Sequence, residues 1–340
     1  MNATNLESIA RALVAPGKGI LAADESTPTI TKRFQTINLL STEDTRRAYR
    51  EMLFTAPGLE EFIGGVILFD ETIRQRSSDD EPLVDILKKK GIIPGIKVDK
   101  GTKPLAGFPG EKVTEGLDGL RERLPEYVKM GARFTKWRAV IAIGQGIPTE
   151  TCVSANAHAL ARFAALSQEA GLVPIVEPEV LMDGDHTMGH CEDVTRMMLH
   201  TVFKELAAHR VAIENMLLKV NMITAGKNYG QQPNVPDVAD ATLRCLAGTV
   251  PNSLPGIVFL SGGQDDVLAT QRLNAMNQFD NVPWQLGFSF ARALQAPALQ
   301  AWNGEHIRAG HLALLHRAQC NSAARFGRYS EEMETERMAA

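Results

Sequence analysis

The sequence predicts an α/β protein: a single (β/α)8 TIM barrel with an N-terminal helical extension and a short C-terminal tail. Three observations lead there. Eight short apolar runs recur along the 340 residues, longer amphipathic stretches separate most of them, and no Pro/Gly/Ser-rich linker divides the chain. Near-continuous apolar character is what strands covered on both faces require. Residues 1–340 therefore read as one domain, since α/β barrels of about 250 residues or more form single units.

The first run, Gly19–Asp24, is apolar up to its terminal carboxylate. Extra material, Pro28–Ser41, precedes a helical stretch starting near Thr42, with Ser41 and Asp44 as the expected cap. The second and third runs are Gly65–Phe69 and Pro94–Asp99, and the fourth, Phe134–Val140, leads into helical spacing over Thr151–Gly171. The fifth, Val173–Glu179, leads into His190–His209, and the sixth, Met216–Met222, into Pro236–Gly248. Gly256–Ser261 and Trp284–Phe290 complete the set. The polar segment 330–340 reads as a mobile tail.

Composition narrows the class. A net charge of −4 opposes a protein-wide surface for nucleic acid or acidic membrane, so neither is an expected partner. The first residues lack a basic region followed by an apolar core, and no apolar run reaches the roughly 18 residues of a membrane span. Cys152, Cys191, Cys245 and Cys320 are widely spaced, with neither zinc-cage nor disulfide patterning, which fits a reducing, cytoplasmic setting.

Side chains alternate across a strand, so residues two apart share a face. Leu217, Lys219 and Asn221 then lie opposite Leu218, Val220 and Met222, and packing that apolar set on the outer helices turns Lys219 into the barrel. By the same parity Lys136 goes with Arg138, Glu177 with Glu179, and Lys97 with Asp99. Asp24, Ser261-Gly262-Gly263 and Ser289 mark the ends of the first, seventh and eighth runs. Barrel enzymes place their chemistry at those ends, and burying so many charges without purpose is costly.

Such a set suits covalent catalysis by lysine. An amine attacks a carbonyl only when neutral, and apolar burial or neighbouring cations favour that form. Carbinolamine dehydration needs a group that gives and takes protons, work that Glu177 and Glu179 could share as close carboxylates with separated pKa values. Asp24 is a candidate base for the hydroxyl next to the breaking carbon–carbon bond. The glycine loop after the seventh run, with Arg292, suits one phosphate. Lys97, Arg138, Arg33 and the Ser26–Thr29 turn suit a second, so a bisphosphorylated sugar is the expected small-molecule substrate.

Gly19–Thr27, Gly95–Gly101, Lys136-Trp137-Arg138, Val173–Glu179, Leu217–Met222, Phe259–Gln264 and Phe288–Gln295 together resemble class I fructose-bisphosphate aldolase, in its order and close to its spacing over about residues 5–330. The resemblance implies that Lys219 forms an imine with the ketose phosphate and that Glu177 is the acid/base of its formation and release. It implies that Asp24 abstracts the C4 hydroxyl proton, with Lys136 and Glu179 tuning the charge around the imine. Ser261, Gly262, Gly263, Ser289 and Arg292 correspond to the C1-phosphate contacts. Ser26, Thr29, Arg33, Lys97, Arg138 and Arg46 correspond to the other phosphate contacts. The reaction implied is reversible cleavage of fructose 1,6-bisphosphate to dihydroxyacetone phosphate and glyceraldehyde 3-phosphate. No metal or cofactor takes part, because the protonated imine is the electron sink, and the resemblance implies a homotetramer.

The chain departs from the family at several positions. Its last tyrosine is Tyr329, so another group or water is expected to do the work of the family's tail tyrosine. Pro28 and Thr29 stand where the family often has Gly and Ser, which predicts a stiffer second phosphate pocket. Ala291 replaces a Gly, losing freedom at positive φ, and Val220 replaces a Pro after the lysine.

Three competing readings carry less. A metal-dependent enzyme would need His186, His190 and Cys191, whose loop lacks a convincing third partner. A transaldolase or deoxyribose-phosphate aldolase shares the imine but has less use for two phosphate pockets. A pure scaffold would not need Lys219, Glu177 and Asp24, although a scaffold role beside catalysis stays compatible with them. His158, His200, His209, His306, His311 and His316 read as surface or packing residues in helical stretches. Trp137 and Trp284 read as core or interface aromatics.

Overall fold

In the computed structural model, which describes residues 3–335, eight parallel strands close into a barrel in sequence order. They are β1 (Gly19–Ala23), β2 (Ile63–Leu68), β3 (Ile93–Lys97), β4 (Phe134–Ile141), β5 (Val173–Val180), β6 (Leu217–Val220), β7 (Gly256–Phe259) and β8 (Gln285–Phe290). Each falls on one of the eight runs, and β1 meets β8 through Ile20 opposite Ser289 and Leu21 opposite Phe290. A short hairpin, Thr102–Pro104 with Lys112–Thr114, stands outside the barrel after β3.

The parity argument holds within the strands. Leu218, Val220, Trp137, Val176, Ile96 and Phe259 pack outward against the helical layer. Leu217, Phe134, Ile175, Val173, Ile20, Ala22, Ile67 and Val258 form a separate inner cluster. That inner cluster continues into Leu6, Ala10, Leu13 and Val14, so the N-terminal helix Ala3–Leu13 plugs one end of the barrel. Burial of each of its large apolar side chains stabilises the plug by roughly 1.5–3 kcal/mol. Arg325, from the last long helix Ile307–Arg325, locks this end by donating to the carbonyls of Val14 (3.1 Å), Ala15 (2.5 Å) and Leu286 (2.9 Å). Burial lowers its pKa to about 10, which still leaves it charged at neutral pH.

Three local expectations change. Within Pro28–Ser41 the chain forms a helix, Thr27–Gln35, because Pro28 lies in its first turn, where a missing N–H costs nothing. The next helix, Glu43–Thr55, is capped by Thr42 rather than Ser41: Thr42 Oγ1 accepts from the Thr45 N–H at 3.1 Å, and Thr45 Oγ1 accepts from the Thr42 N–H at 2.9 Å. Asp44 turns instead to Arg47 at 2.8 Å. Ser330–Thr335, expected to begin a mobile tail, forms a single turn held by Glu334, which accepts from Arg317 Nη1 (2.6 Å) and from the Tyr329 hydroxyl (2.7 Å). Residues 336–340 of the expected tail lie outside the described residues.

Candidate active site

The C-terminal ends of the strands open into a cleft of about 690 Å³. Lys219 reaches it from β6, Glu177 and Glu179 from β5, Lys136 and Arg138 from β4, and Lys97 from β3. Asp24 enters just past β1. Strand alternation therefore delivers side chains spread over 196 positions of sequence (from 24 to 219, counting both) to one end of one barrel.

Four of them form a row of alternating charge. Lys219 Nζ is 3.1 Å from Glu177 Oε1, Glu177 Oε2 is 3.3 Å from Lys136 Nζ, and Lys136 Nζ is 2.6 Å from Asp24 Oδ2. All four are buried. Burial pushes the Asp24 carboxyl up, but Lys136, Lys219 and Lys97 outweigh it and hold the group well below the usual carboxylate range. Burial likewise pushes Glu177 up, and Lys219, Lys136 and Arg138 pull it down further than that. For Lys136, burial favours the neutral amine, yet Asp24, Glu177 and Asp99 keep it protonated far above the ordinary lysine range.

Glu179 plays a different part from the one expected. It pairs with Arg138, Nε to Oε2 at 2.5 Å, and the charge of Glu177 is set by burial, the two lysines, Arg138 and the Asp24 carboxylate, with Glu179 not among them. Arg138 is steadied further along its backbone: its N–H donates to Asp99 Oδ2 at 3.2 Å and its carbonyl accepts from Thr114 Oγ1 at 2.7 Å.

Phosphate-type donors flank the row on both sides. On one side lie Ser261, Gly262, Ser289 and Arg292. Ser289 Oγ is buried without a hydrogen-bond partner among the described residues, so this donor is free for a ligand. Gly262 and Gly263 have φ of 57° and 85°, and a Cβ on Gly263 would lie 2.6 Å from Arg292 Nη2. Glycine therefore serves both the turn and the approach of the guanidinium. Arg292 also opens the helix Arg292–Trp302, whose N-terminus favours an anion. Ala291 sits at φ −100°, so it needs none of the freedom that the replaced Gly would have given.

Across the mouth stand Ser26, Thr29, Arg33, Lys97 and Arg138. Lys97 Nζ pairs with Asp99 at 2.9 Å, and Ser26 Oγ lies 3.2 Å from Thr29 Oγ1. Arg33 pairs with Glu25, which also holds the buried Arg50 at 2.8 Å. Arg46 is not brought to the cleft: it makes a two-pronged pair with Glu71, Nε to Oε2 at 2.8 Å and Nη2 to Oε1 at 2.5 Å. The physical reason is a carboxylate shaped for the guanidinium fork, presented by the helix Asp70–Arg74.

Some neighbours escaped the sequence reading. Glu25, adjacent to Asp24, has the opposite parity, lines the cleft and anchors Arg33 at its mouth and the buried Arg50. Lys227 was missed because it sits in the loop after β6, where strand parity says nothing; its Nζ lies 3.1 Å from the position a Gly263 Cβ would take, beside Arg292. Asn221, on the Lys219 face by parity, serves structure: its Oδ1 accepts from the Val180 N–H at 3.0 Å and its Nδ2 donates to Thr195 at 3.2 Å. Among the described residues, His186, His190 and Cys191 do not bring their ligand atoms together.

The family model for class-I fructose-bisphosphate aldolase matches residues 5–340. The chain belongs to the class-I fructose-bisphosphate aldolase family. It is 54% identical to a probable fructose-bisphosphate aldolase class 1 of Xanthomonas campestris, a match covering 97% of this chain and 99% of the relative. It is 50% identical to the fructose-bisphosphate aldolase of Dictyostelium discoideum, over 98% of this chain and 95% of that one. The solved aldolase of Plasmodium falciparum, in complex with TRAP and a small-molecule inhibitor, superposes with a TM-score of 0.95 at 48% identity, covering 96% of each chain. Class-I aldolases are Schiff-base lyases of glycolysis, and the chain is an enzyme of this type.

Proposed function

We propose that Lys219 is the imine-forming lysine of a reversible fructose 1,6-bisphosphate cleavage, with Glu177, Lys136 and Asp24 as its proton-handling partners. The observation that carries this reading is the unbroken row Lys219–Glu177–Lys136–Asp24, set between two groups of anion donors in one cleft. The contact between Lys219 and Glu177 lets a proton pass from ammonium to carboxylate, leaving a neutral amine beside a carboxylic acid. The amine attacks the C2 carbonyl, and Glu177 returns its proton to the departing hydroxyl as water forms. Asp24 then takes the proton of the C4 hydroxyl, the C3–C4 bond breaks, and its electron pair flows into the protonated imine. Glyceraldehyde 3-phosphate leaves first. Protonation at C3 and hydrolysis of the resulting imine free dihydroxyacetone phosphate and Lys219.

Lys136 keeps Asp24 ionised and ready to accept a proton, and shares its charge with Glu177. Glu179 fixes Arg138 at the cleft wall. Ser261, Gly262, Gly263, Ser289 and Arg292 bind the C1 phosphate, with Lys227 adding long-range positive charge. Ser26, Thr29, Arg33, Lys97 and Arg138 bind the C6 phosphate. The iminium is the electron sink, so cleavage proceeds in the presence of EDTA.

Borohydride reduction in the presence of fructose 1,6-bisphosphate, followed by peptide mapping, tests the assignment. A substrate adduct on Lys219 is expected, and one on another lysine overturns it. Among the described residues no helix is long and apolar enough to cross a membrane. A cytosolic location is supported by a 52%-identical relative from Arabidopsis thaliana described as cytosolic, over 92% of this chain and 88% of that one. Four unpaired, buried cysteines agree with it. The homotetramer implied by the resemblance is part of the same proposal, and light scattering tests it.

A further inference from the structure

Two helices of the outer layer bring together three metal-ligating side chains far from the cleft. His158 lies midway along the helix Glu150–Glu169, Glu205 lies in the last turn of the helix Met188–Ala208, and His209 caps that helix. The second helix runs from the cleft end of β5 back to the opposite end of the barrel, where β6 starts, so Glu205 and His209 stand at the foot of the molecule. We propose that His158, Glu205 and His209 form a binding site for a divalent transition metal of the zinc type, with water completing its coordination.

Geometry and donor chemistry agree. One donor nitrogen from each ring and one carboxylate oxygen lie within 4.8 Å of one another. A tetrahedral ion with bonds of about 2.0–2.1 Å holds its ligands about 3.3 Å apart. His158 Nδ1 and Glu205 Oε2 are already 3.1 Å apart, and the two rings meet edge-to-face with centroids 4.9 Å apart. His209 Nδ1 lies 2.9 Å from the carbonyl oxygen of Glu205. The same nitrogen lies 3.7 Å from Glu205 Oε2, so Nδ1 is the ring atom that faces the carboxylate, and the tautomer sets whether it donates to the carbonyl or offers its lone pair to a metal. Two imidazoles and one carboxylate suit zinc, copper or nickel, whereas calcium and magnesium prefer all-oxygen shells.

Charge favours the same site over its nearest rival. Among the described residues no Lys or Arg pairs with Glu205, whose ionic contacts are His158 and His209. His316, Cys320 and Glu334 also gather ligand atoms. There, however, both Glu334 oxygens accept from Arg317 at 2.6 Å and one accepts from the Tyr329 hydroxyl at 2.7 Å. A metal would have to displace a buried guanidinium, so that cluster is an anchor for the chain's last described turn. The His158 site links two helices that, among the described residues, are joined by packing and a histidine–carboxylate contact, so occupancy stabilises the native barrel by mass action.

Zinc chloride titrated calorimetrically into the EDTA-stripped, full-length chain tests the proposal, with cobalt absorption reporting coordination. The expected result is a single saturable zinc site per chain, a rise in Tm with zinc, and a visible cobalt band of tetrahedral or five-coordinate intensity. H158Q and H209Q each weaken zinc binding at least about tenfold, as loss of a ligand should, while H316Q does not. All three retain cleavage of fructose 1,6-bisphosphate, which also shows that they fold. E205Q, which keeps shape and removes charge, behaves like H209Q. Absence of zinc binding by the parent chain, binding that survives in H158Q and H209Q, or binding lost in H316Q overturns the proposal.

Discussion

Replacing Lys136 by Met separates the charge of the row from its shape. In the parent chain Lys136 Nζ contacts Asp24 at 2.6 Å and Glu177 at 3.3 Å, and their side chains are 4%, 11% and 3% exposed. The variant leaves two buried carboxylates without their shared cation, and breaking a buried pair in this way costs about 3–5 kcal/mol. Lys219 still faces Glu177, so the lower end, about 3 kcal/mol at pH 7, is the expected loss. Its pH dependence is diagnostic. In the parent, Asp24 and Glu177 have depressed folded pKa values, so their stabilisation is present above the unfolded carboxylate range and is lost as pH falls through the folded values. In the variant, burial acts on Asp24 with less opposition, and protonation relieves the penalty. The stability gap between the two proteins therefore narrows on going from pH 7 to pH 4, by roughly 1–2 kcal/mol. Urea denaturation of both chains across that range measures it. A gap below about 1 kcal/mol at pH 7, comparable to an exposed ion pair, or a gap that does not change with pH, would refute the reasoning.

Other perturbations separate the two phosphate sites. Gly263→Ala forces a side chain into φ 85° and onto Arg292, so KM for fructose 1,6-bisphosphate should rise about tenfold through strain of roughly 1–2 kcal/mol. An unchanged KM would remove Arg292 from the C1-phosphate site. Lys227→Met should raise KM only about two- to threefold at low salt and leave it unaltered near 0.5 M salt, because its charge is half exposed and acts through screened solvent. Arg33→Leu should lower kcat/KM for the bisphosphate about 10- to 100-fold, as expected for a lost charged hydrogen bond, and barely affect fructose 1-phosphate. Equal losses with both substrates would dissociate Arg33 from the C6 phosphate.

Strand-borne chemistry was legible because its rule has period two. Once Leu218, Val220 and Met222 were assigned to the helical layer, Lys219 had to face inward, and the same rule placed Lys136, Glu177 and Lys97. Where the rule does not apply, neither does the reading. Arg46 lies on a helix, and nothing in the sequence marks Glu71, 25 residues later, as its partner. Thr42 displaced Ser41 as the cap because the reciprocal bond depends on a hydroxyl at Thr45, a choice of one residue in register. Glu179 shows a different limit: its strand and direction were read correctly, yet whether a carboxylate meets Glu177 or Arg138 is a matter of 2.5 Å contacts between strands. Lys227 comes from a loop, and the His158–His209 meeting joins the middle of one helix to the end of the next, and no periodicity encodes either.

The plug at the foot of the barrel also orders events during synthesis. Leu6, Ala10 and Leu13 leave the ribosome long before the surface that buries them, which includes Leu217 on β6 and Val258 on β7. The guanidinium that ties Val14 and Ala15 down belongs to residue 325. Contacts this distant in sequence form late, since loop closure must precede them. The nascent chain therefore carries an apolar helix without its binding surface for most of translation. The seat of this helix is completed only when Arg325 has been made, and a chain stopped short of it would leave the helix Ala3–Leu13 open to proteolysis.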